Sequence, residues 1–301
     1  MKKLSNRSGT MDRARSRPAL ADAEFRWGIY EKALPKGATW PEMLAAAASA
    51  GYQFVEISID ESDERLARLE WPRADRKALH DSLAEGPTTI DTMCLSGHRK
   101  YALGSQSEAM RQRALTIMRR AIDFAAEFGI RIVQVAGYDV HYEPSNERTQ
   151  ALYMDAILRS AEWARESCVM LALENVECPL VDSIEKAMRF VQAADTPWLQ
   201  IYPDIGNLTA MEKEVTRELL LGGRHLVGLH LKDTRIREFR RVPFGEGLVD
   251  FEAAFRTLKR LSFRGPLMVE MWNEAAADPV SVIAQARQWL GAKLRAAFAA
   301  P

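Results

Sequence analysis

The chain has 301 residues, 47% of them hydrophobic, and its 41 lysines and arginines balance 41 acids. This is enough apolar material for one large core, since α/β barrels commonly fill about 250 residues as a single domain. Zero net charge excludes a global pull toward nucleic acid or a membrane surface, and no stretch approaches the ~18 apolar residues needed to span a bilayer.

The first segment, residues 1–23, is basic, carrying Lys2, Lys3, Arg7, Arg13, Arg15 and Arg17 ahead of any apolar run. It has no hydrophobic region of a secretory signal and reads as a disordered tail, with Met11 as a competing start. From Arg26 onward strand and helix alternate, so residues 24–301 read as one domain. Strands are predicted at 26–31, 54–59, 89–95, 131–136, 169–174, 199–204, 226–231 and 266–271. Helices are predicted at 40–50, 73–84, 107–128, 147–167, 183–194, 212–221, 251–261 and 279–298. Thr39 and Glu42 have the spacing of a capping box, with Pro41 in the first turn, where a missing N–H does no harm. Gly51 and Gly129 stand just past helix ends, and Asp250 is placed to cap the helix that follows it. Eight strand–helix pairs argue for α/β architecture as a closed (β/α)8 TIM barrel. A G-x-G-x-x-G after the first strand and a Walker loop are both missing, which weakens dinucleotide and nucleotide-triphosphate binding. Cys94, Cys168 and Cys178 are odd in number and form no C-x-x-C pair. They read as small buried hydrophobes of a reducing cytoplasm, not as disulfides or zinc thiolates.

Four of the later strands each carry a polar residue at or near their C-terminal end: Glu174, Asp204, His230 and Glu270. Runs this apolar belong in a sheet covered on both faces, where an unpaired carboxylate costs several kcal/mol unless a cation meets it. In such barrels the active site lies at the C-terminal ends of the strands, where all four fall. Three carboxylates and an imidazole have the chemistry of a divalent-metal site with room left for substrate oxygens. The neutral nitrogen of His230 favours Mn²⁺, Co²⁺ or Zn²⁺ over Ca²⁺.

Longer stretches carry a resemblance. They are Trp27-Gly28-Ile29-Tyr30-Glu31-Lys32, Phe54-Val55-Glu56-Ile57-Ser58, Ser96-Gly97-His98-Arg99, Ala136-Gly137-Tyr138-Asp139, Tyr202-Pro203-Asp204-Ile205-Gly206-Asn207, His230-Leu231-Lys232-Asp233-Thr234, Val242-Pro243-Phe244-Gly245-Glu246-Gly247 and Val269-Glu270-Met271-Trp272. In this order the chain resembles the L-ribulose-5-phosphate 3-epimerase family (L-xylulose-5-phosphate 3-epimerases) of the xylose-isomerase-like barrels. The resemblance implies a cytoplasmic isomerase of carbohydrate metabolism. It would interconvert L-ribulose 5-phosphate and L-xylulose 5-phosphate by proton transfer at C3, through an enediolate stabilised by one divalent ion (Mn²⁺, Zn²⁺, Co²⁺ or Mg²⁺). It also implies metal ligation by Glu174, Asp204, His230 and Glu270, proton transfer by Glu174 and Glu270, and a homodimer. One departure bears on sugar specificity. A Met-Asp-Thr-like run is expected after Glu174, and this chain has Asn175-Val176-Glu177-Cys178-Pro179, with a longer acid.

The expected partner is a small sugar or sugar phosphate, with no nucleic acid and no membrane. Candidate substrate contacts are Glu56, His98, Arg99, Asn207 and Lys232. Lys232 shares the strand face of His230 and meets either a substrate anion or a neighbouring acid such as Asp233. Glu56 faces inward with Ser58 and either binds sugar hydroxyls or pairs with Lys232 or Arg99. One of His98 and Arg99 is expected to reach the substrate, Arg99 being suited to phosphate by its fork of donors. Arg235, Arg237, Arg240 and Arg241 follow strand 7, where such barrels often hold phosphate. Tyr138, His141, Tyr142 and Trp272 are expected as an apolar wall. An epimerase of free ketoses or an aldose–ketose isomerase would use the same scaffold. A repair endonuclease would need further histidines and a basic groove, and a non-catalytic sugar-binding barrel would have no use for both glutamates.

Overall fold

The computed structural model describes residues 24–273 and 276–299, so the expected tail at 1–23 lies outside the described residues. The strands are β1 (Trp27–Tyr30), β2 (Phe54–Ile59), β3 (Thr89–Leu95), β4 (Ile132–Ala136), β5 (Met170–Glu174), β6 (Leu199–Ile201), β7 (Leu229–Leu231) and β8 (Leu267–Val269). β1, β2, β4, β6, β7 and β8 are buried along their whole length, as strands covered on both faces must be. The strands form one parallel sheet in the order β6-β5-β4-β3-β2-β1-β8-β7. Two single bridges, Ile201 to Leu226 and Asp204 to His230, close it between β6 and β7. The architecture is the expected α/β barrel.

The core has two parts. A large shell of Leu, Ile, Val, Ala and Phe side chains lies between the strands and the surrounding helices, including Leu44, Ile57, Ile117, Tyr153, Phe190 and Leu290. A smaller cluster, Tyr30, Phe54, Cys94, Ile132, Ala172, Tyr202 and Met268, forms a separate packed group. Glycine makes room for its large rings. A Cβ on Gly28 would lie 2.2 Å from the Phe54 ring, and one on Gly228 would lie 2.5 Å from Tyr202. Gly28→Ala is therefore expected to destabilise the protein by about 1–3 kcal/mol through overpacking. Urea unfolding would show this as a lower midpoint with an unchanged slope, and an unchanged midpoint would refute it.

Helix boundaries follow the expected caps. The Thr39 backbone N–H donates to Glu42 Oε2 at 2.7 Å, and Asp250 Oδ1 accepts from Ala253 N at 2.9 Å. Gly51 and Gly129 have φ of 88° and 69°, the left-handed conformation that favours glycine. The structure departs from expectation around β6, which stops at Ile201 and not at residue 204. Pro203 has no N–H to give a ladder. Asp204 then accepts the Asn207 N–H at 2.9 Å and starts a six-residue helix, Ile205–Ala210, that the sequence reading did not anticipate. β7 likewise begins at Leu229, three residues later than expected.

Two buried aspartates organise the loops around the mouth. Asp233 accepts backbone N–H bonds from Gly245 at 2.8 Å and Gly247 at 3.0 Å, pinning the Pro243–Gly247 turn. Asp139 accepts from the Thr149 and Ser145 hydroxyls at 2.6 and 2.7 Å, while its backbone carbonyl accepts from Gly104 N.

Candidate metal centre

Glu174 closes β5, Asp204 caps the helix after β6, His230 is the middle residue of β7, and Glu270 follows β8 directly. Parallel strands deliver their C-terminal ends to one rim, so the four side chains meet there. One ligand atom from each lies within 4.8 Å of all the others. His230 Nδ1 stands 3.1 Å from Glu174 Oε1 and 3.3 Å from Glu270 Oε2. Gln134 on β4 donates to Glu174 Oε2. Asn175 holds the Asp204 backbone from both sides, accepting its N–H and donating to its carbonyl, each at 3.0 Å.

The electrostatics leave negative charge under-compensated. Burial pushes the Asp204 carboxyl up to about 7 and raises Glu174, and the neighbouring Glu270 carboxylate adds to both shifts. Burial also works to raise Glu270, but the Lys232 ammonium and His230 outweigh it and hold that carboxyl well below its usual value. Lys232 Nζ lies 2.6 Å from Asp204 Oδ2 and 3.3 Å from Glu270 Oε2. The three acids of this set, with Glu56 on the other side of His230, thus share one ammonium and one imidazole. The donor set and its missing positive charge fit a divalent ion of the kind that accepts both carboxylate and imidazole.

Above these residues is a cleft of about 520 Å³ including its open mouth, within the ~300–1,000 Å³ of small-molecule sites. Its walls include Tyr30, Arg99, Tyr138, Glu177, Arg240 and Trp272. Arg99 lies over the Tyr138 ring, its carbon 5.4 Å from the ring centre, and donates to the Tyr138 hydroxyl at 3.3 Å. The Tyr138 hydroxyl donates in turn to Glu177 Oε2 at 2.9 Å. Arg240 and Lys232 approach the Trp272 ring at 5.6 and 5.8 Å. Tyr142 stands apart from this wall, 68% exposed and bonded to Glu61.

Of the five candidate substrate contacts, Arg99, Asn207 and Lys232 line the cleft. Lys232 pairs with Asp204 and Glu270. The pairing with Asp233 does not form, because Asp233 is taken up by the backbone of the following loop. Glu56 and His98 do not line the cleft. Glu56 is fully buried, with Thr92 and His230 as its partners. His98 is turned into the core, where Nε2 meets the Ala114 carbonyl at 3.1 Å and burial pushes its pKa down to about 4. In the loop after β7, Arg235 is bound to Glu238 and the Glu246 carbonyl. Arg237 meets Met211 Sδ and Arg240 alone of those two reaches the cleft. Gln134 and Asn175 were missed, although a glutamine inside an otherwise apolar strand was a visible signal for the first.

Fold and site together are those of an α/β-barrel enzyme of the isomerase class. Residues 44–293 match the family of xylose isomerase-like TIM barrels. The chain is 48% identical over 267 residues to the L-ribulose-5-phosphate 3-epimerase UlaE of Escherichia coli, covering 89% of this chain and 94% of that protein. It is 47% identical over the same length to the enzyme of that name from Salmonella paratyphi A, with the same coverage. A solved L-ribulose 3-epimerase superposes with a TM-score of 0.74 at 19% identity, covering 91% of this chain and 95% of that one, a likeness of fold. The chain belongs to the L-ribulose-5-phosphate 3-epimerase family, and its activity is that of a 3-epimerase. Among the described residues no helix is long and apolar enough to cross a membrane.

Proposed function

We propose that the protein interconverts L-ribulose 5-phosphate and L-xylulose 5-phosphate, with one divalent metal ion held by Glu174, Asp204, His230 and Glu270. The observation that carries this reading is the convergence of the Glu174 and Glu270 carboxylates, from separate strands, on the same imidazole nitrogen. Inverting a carbon centre requires a group on each of its faces, and a carbon next to a carbonyl is too weak an acid to ionise unaided. The bound ion would offset the negative charge that develops on the substrate oxygens beside C3. One glutamate takes the C3 proton and the other returns a proton to the opposite face, the roles exchanging with the direction of reaction. Tyr138 and Trp272 wall the reacting carbon from water. Arg99 and Arg240, lying against those two rings, are placed for the phosphate end.

A second reading, epimerisation of the free ketose, draws on Glu177. A hydrogen bond from its own backbone N–H, then the Tyr138 hydroxyl, Arg99 and Arg240, hold its carboxyl below the usual range against the upward push of burial. An ionised acid beside those arginines weakens their hold on phosphate. Comparing turnover of L-ribulose 5-phosphate with that of L-ribulose separates the two. We expect a strong preference for the phosphorylated sugar, loss of activity on chelation and its return with Mn²⁺, Co²⁺, Zn²⁺ or Mg²⁺. A preference for free L-ribulose would overturn the first reading, and full activity after exhaustive chelation would overturn the metal.

A further inference from the structure

Glu56 is a fully buried carboxylate in the middle of β2 that is outside the ligand set and outside the cleft wall. Its oxygens lie 3.2 and 3.4 Å from His230 Nε2, and Oε2 also accepts the Thr92 hydroxyl at 2.8 Å. A neutral hydroxyl cannot offset a buried charge, so the imidazole N–H is the partner that makes this carboxylate tolerable. Lys232, the nearby ammonium, is already engaged by Asp204 and Glu270. The Tyr202 ring meets the imidazole edge-on, with centroids 4.6 Å apart, and restrains its rotation. With Nε2 committed to Glu56, the other ring nitrogen, Nδ1, is the one that faces Glu174 and Glu270.

We propose that Glu56 is a positioning residue. It holds the imidazole proton on Nε2, which leaves the Nδ1 lone pair directed at the ion and makes that nitrogen a stronger donor. The inference rests on the metal reading above and adds to it a residue that touches neither ion nor substrate. A histidine that gives its second N–H to a carboxylate is oriented and made more basic, and loss of such a partner typically weakens metal affinity by about 10–100-fold. The carboxylate comes from β2, three places from β7 in the sheet order, so it reaches the imidazole across the barrel interior.

The test is Mn²⁺ affinity, measured on metal-stripped full-length protein by the electron paramagnetic resonance of free Mn²⁺, for wild type, Glu56→Gln and Glu56→Asp. Glutamine keeps the volume and one acceptor but not the charge. A space-filling Glu56 therefore predicts unchanged affinity, and a positioning Glu56 predicts Mn²⁺ binding weakened about 10–100-fold. Glu56→Asp, which keeps the charge, should regain part of the loss. Nitrogen-15 histidine spectra of the Zn²⁺-loaded wild type should show His230 protonated at Nε2 and bare at Nδ1. Equal affinity in wild type and Glu56→Gln would overturn the proposal and leave the metal reading standing, whereas a wild type that takes up no Mn²⁺ would overturn the metal reading. If Glu56→Gln does not fold, the spectrum of the Zn²⁺-loaded wild type decides, and a proton on Nδ1 there overturns the proposal.

Discussion

Glu174→Gln and Glu270→Gln are each expected to lower turnover by at least about 10²–10⁴-fold, the usual contribution of a positioned acid or base. Each substitution preserves side-chain volume and the ability to accept a hydrogen bond, so the barrel should stay folded. The two effects should be alike in size, because a proton removed on one face is of no use unless one arrives on the other. Exchange of the substrate C3 hydrogen with solvent deuterium separates the steps. If either variant retains exchange without inversion, the missing glutamate is the one that completes the reaction in that direction. Wild-type turnover in either variant would remove that residue from the chemistry. Gln134, which donates to Glu174 Oε2, would still find an acceptor in the glutamine side chain, so misfolding should not obscure the result.

The second large effect concerns stability. Lys232 is 5% exposed, and its ammonium is held between Asp204 and Glu270. Removing one partner from a buried ion pair while leaving the other typically costs about 3–5 kcal/mol. Lys232→Met should therefore destabilise the metal-free protein by about that amount, since methionine fills much of the same volume without the charge. A divalent ion then has more to do in the variant than in the wild type. Adding Mn²⁺ should raise the unfolding midpoint of Lys232→Met more than that of the unaltered protein. Chemical denaturation with and without Mn²⁺ measures both effects. A metal-free variant as stable as wild type would show that the ammonium is not what holds the acids together.

The four centre residues were legible because each is a polar group at the end of an apolar run, a contrast that needs no knowledge of the partner strand. Strand order and barrel closure were legible from period and count for the same reason. Other features depend on contacts that the local sequence does not contain. His98 follows a strand and precedes an arginine, which looks like a substrate loop. Only the approach of the Ala114 carbonyl, 16 residues on, turns it into the core. Glu56 could be placed on the inward face by alternation with Ser58, but its partner is 174 residues away on β7. Asp233 beside Lys232 looked like a ready ion pair. Backbone N–H groups of the loop glycines claimed the aspartate instead. At Asp204 a polar end residue was read as strand, but its carboxylate starts a helix instead.

The sheet is stitched unevenly. Its neighbouring strands share ladders of three or more residue pairs, while β6 and β7 are joined only through single bridges. One of those bridges pairs Asp204 with His230. Any ligand gripped by both side chains at once also fastens the barrel where it is most loosely sewn. Amide hydrogens along that join, such as those of Val227 and His230, would then exchange with solvent more slowly when the centre is filled, so that occupancy is reported by breathing of the wall.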